Sequence, residues 1–348
     1  MAPEDTISAG IVPFPPPSNP KFSFIDLFAG IGGFRLAMQA CGGKCVFSSE
    51  WDQYAQQTYR NNYGEVPYGD ITLDETKALI PEQFDVLCAG FPCQAFSHAG
   101  LKKGFEDTRG TLFHEIANIL KEHKPKVAFL ENVKGLISHD QGKTLQIILR
   151  TITGIGYACN IPEEDIWDDS PRRLKECAKS MVLCSKDFGV CQNRQRIYIV
   201  LWRKDLPIDK FIYPSPTFEE THVRDILEKS PEERYTISDR MWLGHQRRKA
   251  RNKANGKGFG YSLVAPDSPY TGTISARYWK DGSEILLAQE GKNPRVLTPR
   301  EAARLQGYPD TFIVHPSRHQ AYKQFGNSVS VPVVTAVAKK IVEELLCL

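Results

Sequence analysis

Cys93 stands in the stretch Gly90-Phe91-Pro92-Cys93-Gln94-Ala95-Phe96-Ser97, after the apolar run Phe84–Ala89, which reads as a buried strand emptying into a Gly/Pro turn. A thiol there either packs, as Cys88 would inside the run, or reacts, because open α/β sheets place ligands at the C-terminal ends of strands. Local context alone leaves both readings open. Three acids occupy comparable positions. Glu50 ends the run Lys44–Ser49, about twenty residues beyond a glycine turn, where a carboxylate can hydrogen-bond a ribose diol. Trp51 beside it offers a face to a purine or to the core. Asp70 closes a third element ending at Tyr68-Gly69-Asp70-Ile71, and Glu131 follows the apolar run Lys126–Leu130.

Positioning these groups requires strands that deliver them to one edge of a sheet. Phe22–Phe28 reads as a strand, Ala29–Gly33 as a glycine turn, and Phe34–Cys41 as a helix stopped by Gly42-Gly43, the opening unit of a nucleotide-binding α/β fold. Later apolar spacing predicts a helix through Leu112, Ile116, Ile119 and Leu120, another over Lys143–Ile152, and closing strands over Ser180–Cys184 and Arg196–Trp202. Strands alternating with helices predict a mostly parallel sheet flanked by helices. From Lys204 to Pro294 prolines and glycines are frequent and long helical periods are absent. Residues 240–266 hold Arg240, Arg247, Arg248, Lys249, Arg251, Lys253 and Lys257 without an acid. This is a basic patch suited to phosphates, or a solvated charged face. Thr298-Pro299-Arg300-Glu301 is a helix start with a capping box, and a last helix is expected near Val331–Leu346.

The predicted organisation is a disordered or loosely attached Pro-rich tail (1–20), a catalytic and cofactor-binding domain (21–203), a smaller, irregular β-rich domain (204–296) and C-terminal helices (297–348). The 348 residues carry a net charge of only +3, so affinity for nucleic acid must come from a local patch. No apolar run approaches a membrane span, and no secretory signal opens the chain. The nine cysteines fit reduced thiols in a cytoplasmic protein. Cys41 and Cys45 lack a second pair at metal-ligand spacing, so no metal is expected.

The segments Asp26–Arg35 (DLFAGIGGFR), Gly90–Ser97 (GFPCQAFS), Glu131-Asn132-Val133, Gln192–Arg196 (QNRQR), Leu297–Asp310 (LTPREAARLQGYPD) and Gln324–Val329 (QFGNSV) together resemble the C5-cytosine DNA methyltransferases in type and order. The resemblance covers nearly everything from Phe22 onward. It implies a Rossmann-like domain using S-adenosylmethionine, a target-recognition domain and double-stranded DNA as substrate. Carried over, Phe28, Gly30 and Gly32 lie against the amino-acid and sulfonium parts of the cofactor. Glu50 takes the ribose hydroxyls, Trp51 and Ile71 the adenine faces, and Asp70 the adenine amine, with Asn327 and Val329 closing the pocket. Cys93 is the nucleophile toward C6 of a flipped-out cytosine, Glu131 the acid at N3, and Arg196 the donor to O2. Arg194 is expected to serve a flanking phosphate or positioning, and the loop from about Phe96 to Asp107 to close over the site.

Gly258–Leu287 is similar to recognition regions acting on CCGG, CCNGG and CCWGG sites, with Arg277 and Lys280 as candidate guanine or phosphate contacts. The chain departs from the family by carrying Cys191 where proline usually precedes the glutamine, and by a longer, more charged Pro162–Lys179. A bacterial modification enzyme is implied, monomeric and sharing its site with a cognate restriction endonuclease. A tRNA cytosine methyltransferase would not need so long a reading domain, an amino-methylating enzyme would need an Asn/Asp-Pro-Pro-aromatic motif, and a silent DNA-binding regulator would not need to keep Cys93 and Glu131.

Overall fold

The computed structural model describes residues 12–92 and 111–346. Cys93, the stretch from about Phe96 to Asp107 expected to close over the site, and residues 1–11 lie outside the described residues. Among those described, the central sheet has seven strands: β1 (Phe22–Leu27), β2 (Gly43–Ser49), β3 (Val86–Gly90), β4 (Val127–Val133), β5 (Tyr157–Ala158), β6 (Val182–Cys184) and β7 (Gln195–Arg203). Their order is β2-β1-β3-β4-β7-β5, with β6 also beside β7. β1 pairs in parallel with β2 and β3, and β3 with β4. β7 runs antiparallel to β4, β5 and β6.

That reversal matters for the site. Because β7 runs against β4, its N-terminal end lies where β3 and β4 end, with Arg196 opposite Val133 and Tyr198 opposite Glu131. The arginine motif therefore meets the acid across one strand pair. Both faces of the sheet are covered, which explains why its strands are apolar almost throughout. The helices Gly33–Ala40 and Val331–Ile341 pack Phe34, Met38, Val334 and Val337 on one face against Phe24, Val86, Phe129 and Val200. The helices Thr111–His123 and Lys143–Gly154 cover the other, with Phe113, Ile116, Leu145 and Ile148 against Ile25, Leu87, Ala128 and Ile199.

Several sequence expectations are corrected. Tyr68–Ile71 is not a strand: Tyr68 makes a single parallel bridge to Ser49, its amide donating to Ser48 and its carbonyl accepting from Glu50. This bridge still brings Asp70 to the sheet edge. Glu131 lies within β4, not beyond it. Residues 12–20 do not form a loose tail. Phe14 sits about 6.0 Å, centroid to centroid, from the rings of Tyr63 and Phe312, its amide donates to the Asn62 carbonyl, and Gln39 donates to the carbonyls of Phe14 and Pro15.

The stretch 204–296, expected to be a recognition domain, contains a 16-residue helix, Asp239–Ala254, capped by the Ser238 hydroxyl. It escaped the sequence because it has no apolar stripe, and only His245 on it is buried. Regular β structure there is limited, among the described residues, to the two-residue strands β8 (Leu263–Val264) and β9 (Leu286–Leu287). Nor does the region stand apart, since Ile274, Tyr278 and Leu287 share one apolar cluster with Ala29, Ile31, Leu305 and Phe325.

Candidate active site

The strand ends and the C-terminal segment enclose a cleft of about 620 Å³, within the ~300–1,000 Å³ usual for a small-molecule site. Its wall includes Phe28, Gly30, Glu50, Trp51, Asp70, Ile71, Asn327 and Val329, and also Glu131, Arg194 and Arg196. Among the described residues, those singled out for a cofactor and those singled out for a base thus share one cavity. Gly32 is the exception. It caps the helix Gly33–Ala40 with φ 82°, and a Cβ there would come 2.3 Å from the Tyr63 ring, whose hydroxyl donates to the Gly32 carbonyl. Its role is to shape the turn.

The cofactor end is built from backbone as much as from side chains. Phe28 and Gly30 both adopt φ 56°, a left-handed conformation that bends the chain away at the end of β1. A Cβ at Gly30 would project into open space, so the turn leaves a cradle. One Glu50 oxygen accepts from the Gly30 amide and the other from the Asp52 amide, each at 2.8 Å. The carboxylate is thereby fixed while a lone pair on each oxygen stays available for a diol. Burial raises the Glu50 pKa against these two amides. Trp51 is 68% exposed while Ile71 is buried, so a flat ring can be gripped between an open aromatic face and the wall. Asp70 uses one oxygen on the Thr72 amide at 2.9 Å, leaving the second for an amine. This donor set fits S-adenosylmethionine.

At the other end Glu131 and Arg196 form a largely buried pair, Oε1 to Nε 3.1 Å. Burial lifts the Glu131 pKa, opposed by the charges of Arg196 and Arg194. Asn132, buried beside it, donates to the Phe91 carbonyl at 3.0 Å and accepts from the Val133 amide, tying β4 to the turn that leads to Cys93. Arg194 departs from the phosphate-contact alternative. It is 3% exposed and donates to the carbonyls of Ile274 (3.1 Å), Gly326 (3.2 Å) and Ser328 (2.8 Å). Burial and the neighbouring Arg196 lower its pKa.

Arg277 and Lys280 are exposed, Lys280 near the ring of Trp279, which itself lies 4.1 Å from the His319 ring. The Lys323–Asp52 ion pair at 2.5 Å, on the rim of the same cleft, had no signal in the sequence, because its partners lie 271 residues apart. Among the described residues no group of three or more His, Cys, Asp or Glu could hold a metal ion, and no helix is long and apolar enough to cross a membrane.

Residues 22–343 match the family model described as C-5 cytosine-specific DNA methylase. The chain is 53% identical over 336 residues to the Type II methyltransferase M.SsoII of Shigella sonnei, covering 96% of this chain and 83% of that protein. It is 54% identical over 323 residues to M.NlaX of Neisseria lactamica, covering 92% and 96%. Among solved structures, the S. pombe Dnmt2 methyltransferase superposes with a TM-score of 0.72 at 20% identity, over 92% of this chain and 98% of that one, a likeness of fold.

Proposed function

The chain belongs to the C-5 cytosine-specific DNA methylase family and methylates cytosine at C5 in specific DNA sites with S-adenosylmethionine as donor; from that premise we propose how its residues divide the work. Glu50, Asp70, Trp51 and Ile71 hold the nucleoside part of the cofactor, and Phe28, Gly30, Asn327 and Val329 enclose the remainder. When bound, the cofactor supplies an electrophilic methyl group on a sulfonium.

C5 of cytosine is a weak nucleophile until C6 is saturated. The Cys93 thiolate adds to C6, and the displaced π pair moves onto C5 and toward N3. Glu131, whose pKa burial raises, gives a proton to N3 from its protonated form, while Arg196 donates to O2. After C5 has taken the methyl group, loss of its proton to water lets the S–C6 bond break and returns the thiolate. N3 gives its proton back to Glu131 as the aromatic ring is restored. Because C5 and C6 are inaccessible in a stacked pair, the base is flipped into the cleft.

Residues 204–296 read the sequence, with Arg277 and Lys280 as contacts and a CCNGG- or CCGG-like site as target. The enzyme works as a monomer, paired with a restriction endonuclease of the same specificity. The observation that carries this reading is the buried Glu131–Arg196 pair in one cleft with the Glu50 cradle. Bisulfite sequencing of DNA exposed to the protein tests product and site together. Cys93→Ser is expected to abolish turnover and leave binding of S-adenosylhomocysteine within about twofold; undiminished turnover would sink the mechanism.

A further inference from the structure

Behind the cleft, four separate segments meet in a buried knot of polar side chains. Gln192 is completely buried, and its Nε2 donates to the Leu305 carbonyl at 3.0 Å and to the Gln306 Oε1 at 3.2 Å. Its Oε1 accepts from the Ile274 amide at 3.0 Å. Gln306, also fully buried, passes the connection on by donating to the Phe325 carbonyl at 2.6 Å. Arg194 closes the circuit through the carbonyls of Ile274, Gly326 and Ser328. Ile274, in the recognition region, thus surrenders both its amide and its carbonyl to side chains of the stretch that carries Arg196.

The backbone reinforces the joint. Thr271 donates to the Cys191 carbonyl at 2.8 Å, Asn193 to the Thr271 carbonyl at 2.9 Å, and the Thr273 hydroxyl to the Asn193 carbonyl at 2.8 Å. Gly326 lies so close to the recognition segment that a Cβ would come 2.2 Å from the Ser275 carbonyl carbon.

We propose that Gln192, Arg194 and Gln306 are positioning residues that couple the recognition segment Thr271–Ser275 to the cofactor and base pocket, so that occupancy of either end is felt at the other. Apolar packing alone would hold the segments together. A buried network whose amides and guanidinium bridge both ends, with only the Arg194 Nε of its side-chain nitrogens and oxygens left without a partner among the described residues, instead fixes their relative geometry, since a slip of either segment strands polar groups out of water. One end of the network is Ser328, beside the pocket residues Asn327 and Val329; the other is the frame that presents Arg277. Between them sits Arg194, two residues from the guanidinium that pairs with Glu131. A shift of Thr271–Ser275 therefore moves the cofactor wall and Arg196 together, and linkage makes the effect reciprocal.

The inference rests on the cofactor assignment made above, and the test separates the two. Hydrogen exchange of the full chain is measured with and without saturating S-adenosylhomocysteine, whose binding is followed independently by calorimetry. Exchange is expected to slow at least fivefold at the amides of Asn193, Thr271 and Ile274, none of which lines the cleft. Gln192→Met keeps the volume of the side chain and removes its hydrogen bonds. In that variant the ligand-induced protection is expected to disappear. The ratio of kcat/KM on the site found by bisulfite sequencing to that on a duplex with one base pair changed is expected to fall at least tenfold.

Binding without protection in the unaltered protein overturns the coupling alone, and absence of binding overturns the cofactor assignment with it. A Gln192→Met protein that loses thermal stability but keeps both protection and discrimination shows a merely structural tether and also overturns the proposal. The measurement on the unaltered chain decides by itself if the variant does not fold.

Discussion

Glu131 and Arg196 pull against each other: burial favours the neutral acid, and the guanidinium 3.1 Å away favours the carboxylate. In the proposed mechanism the acid supports N3 only while protonated, so kcat is expected to fall as pH rises through its raised pKa. Arg196→Gln removes a lowering influence. That limb of the pH profile should then move to higher pH, while maximal kcat drops at least tenfold because the O2 donor is gone. Glu131→Gln should lower kcat by about 10²–10⁴, the range for a missing general acid, and erase the limb. A second buried acid acts on stability. Asp26 is fully buried in β1, with no hydrogen-bond partner at normal length among the described residues, and burial pushes it up to about 8 from the ordinary 3.8. A raised folded pKa contributes stability that is present below the unfolded value and lost as pH climbs toward 8. At ~1.4 kcal/mol per unit the loss reaches several kcal/mol. Asp26→Asn is expected to flatten the pH dependence of Tm between pH 4 and 8, measured by thermal unfolding; an unchanged slope would place the titration elsewhere.

At the scale of elements, the close approaches made by glycines decide what can be changed. Gly326→Ala would drive a methyl group to within 2.2–2.3 Å of backbone atoms of Ser275 and Ala276, which cannot rotate away. An overpacking cost of at least about 1–3 kcal/mol is expected in denaturant unfolding, with recognition segment and pocket wall forced apart. Gly30→Ala meets no such neighbour, so its cost should be limited to the φ 56° strain, about 1–2 kcal/mol. The sequence distinguished these positions only in part. Gly30 announced itself through a glycine-rich turn after a strand. Gly326, flanked by Phe325 and Asn327, gave no local sign that another segment presses on it. The same difference runs through the fold. β1, β3 and the Thr298–Glu301 capping box were legible because their signals are local, and the box forms with Glu301 donating its amide to the Thr298 hydroxyl at 3.1 Å. The direction of β7, the tethering of Arg194 and the anchoring of Phe14 were not, because each depends on partners many residues away.

For the molecule as a whole, a net charge of +3 leaves affinity for DNA to be concentrated in one place. The helix Asp239–Ala254 is the candidate for that place. Arg248 is engaged internally, to Asp281 at 2.8 Å and to the Gly260 carbonyl at 3.0 Å, and Lys249 lies 4.2 Å from the centre of the Tyr261 ring. Arg240, Arg247 and Arg251 are exposed, and spacings of seven and four residues set them on one face. A row of guanidinium groups on a rigid rod suits a phosphate backbone and carries no base information. Replacing all three by Gln should weaken binding to the methylated site and to a scrambled duplex by the same factor. The slope of log K against log salt should flatten by roughly 0.9 for each phosphate that is no longer neutralised. Fluorescence anisotropy over a salt series reads both quantities. A weakening confined to the methylated site would mean that the helix reads bases, and an unchanged slope would leave it as a solvated face away from the DNA.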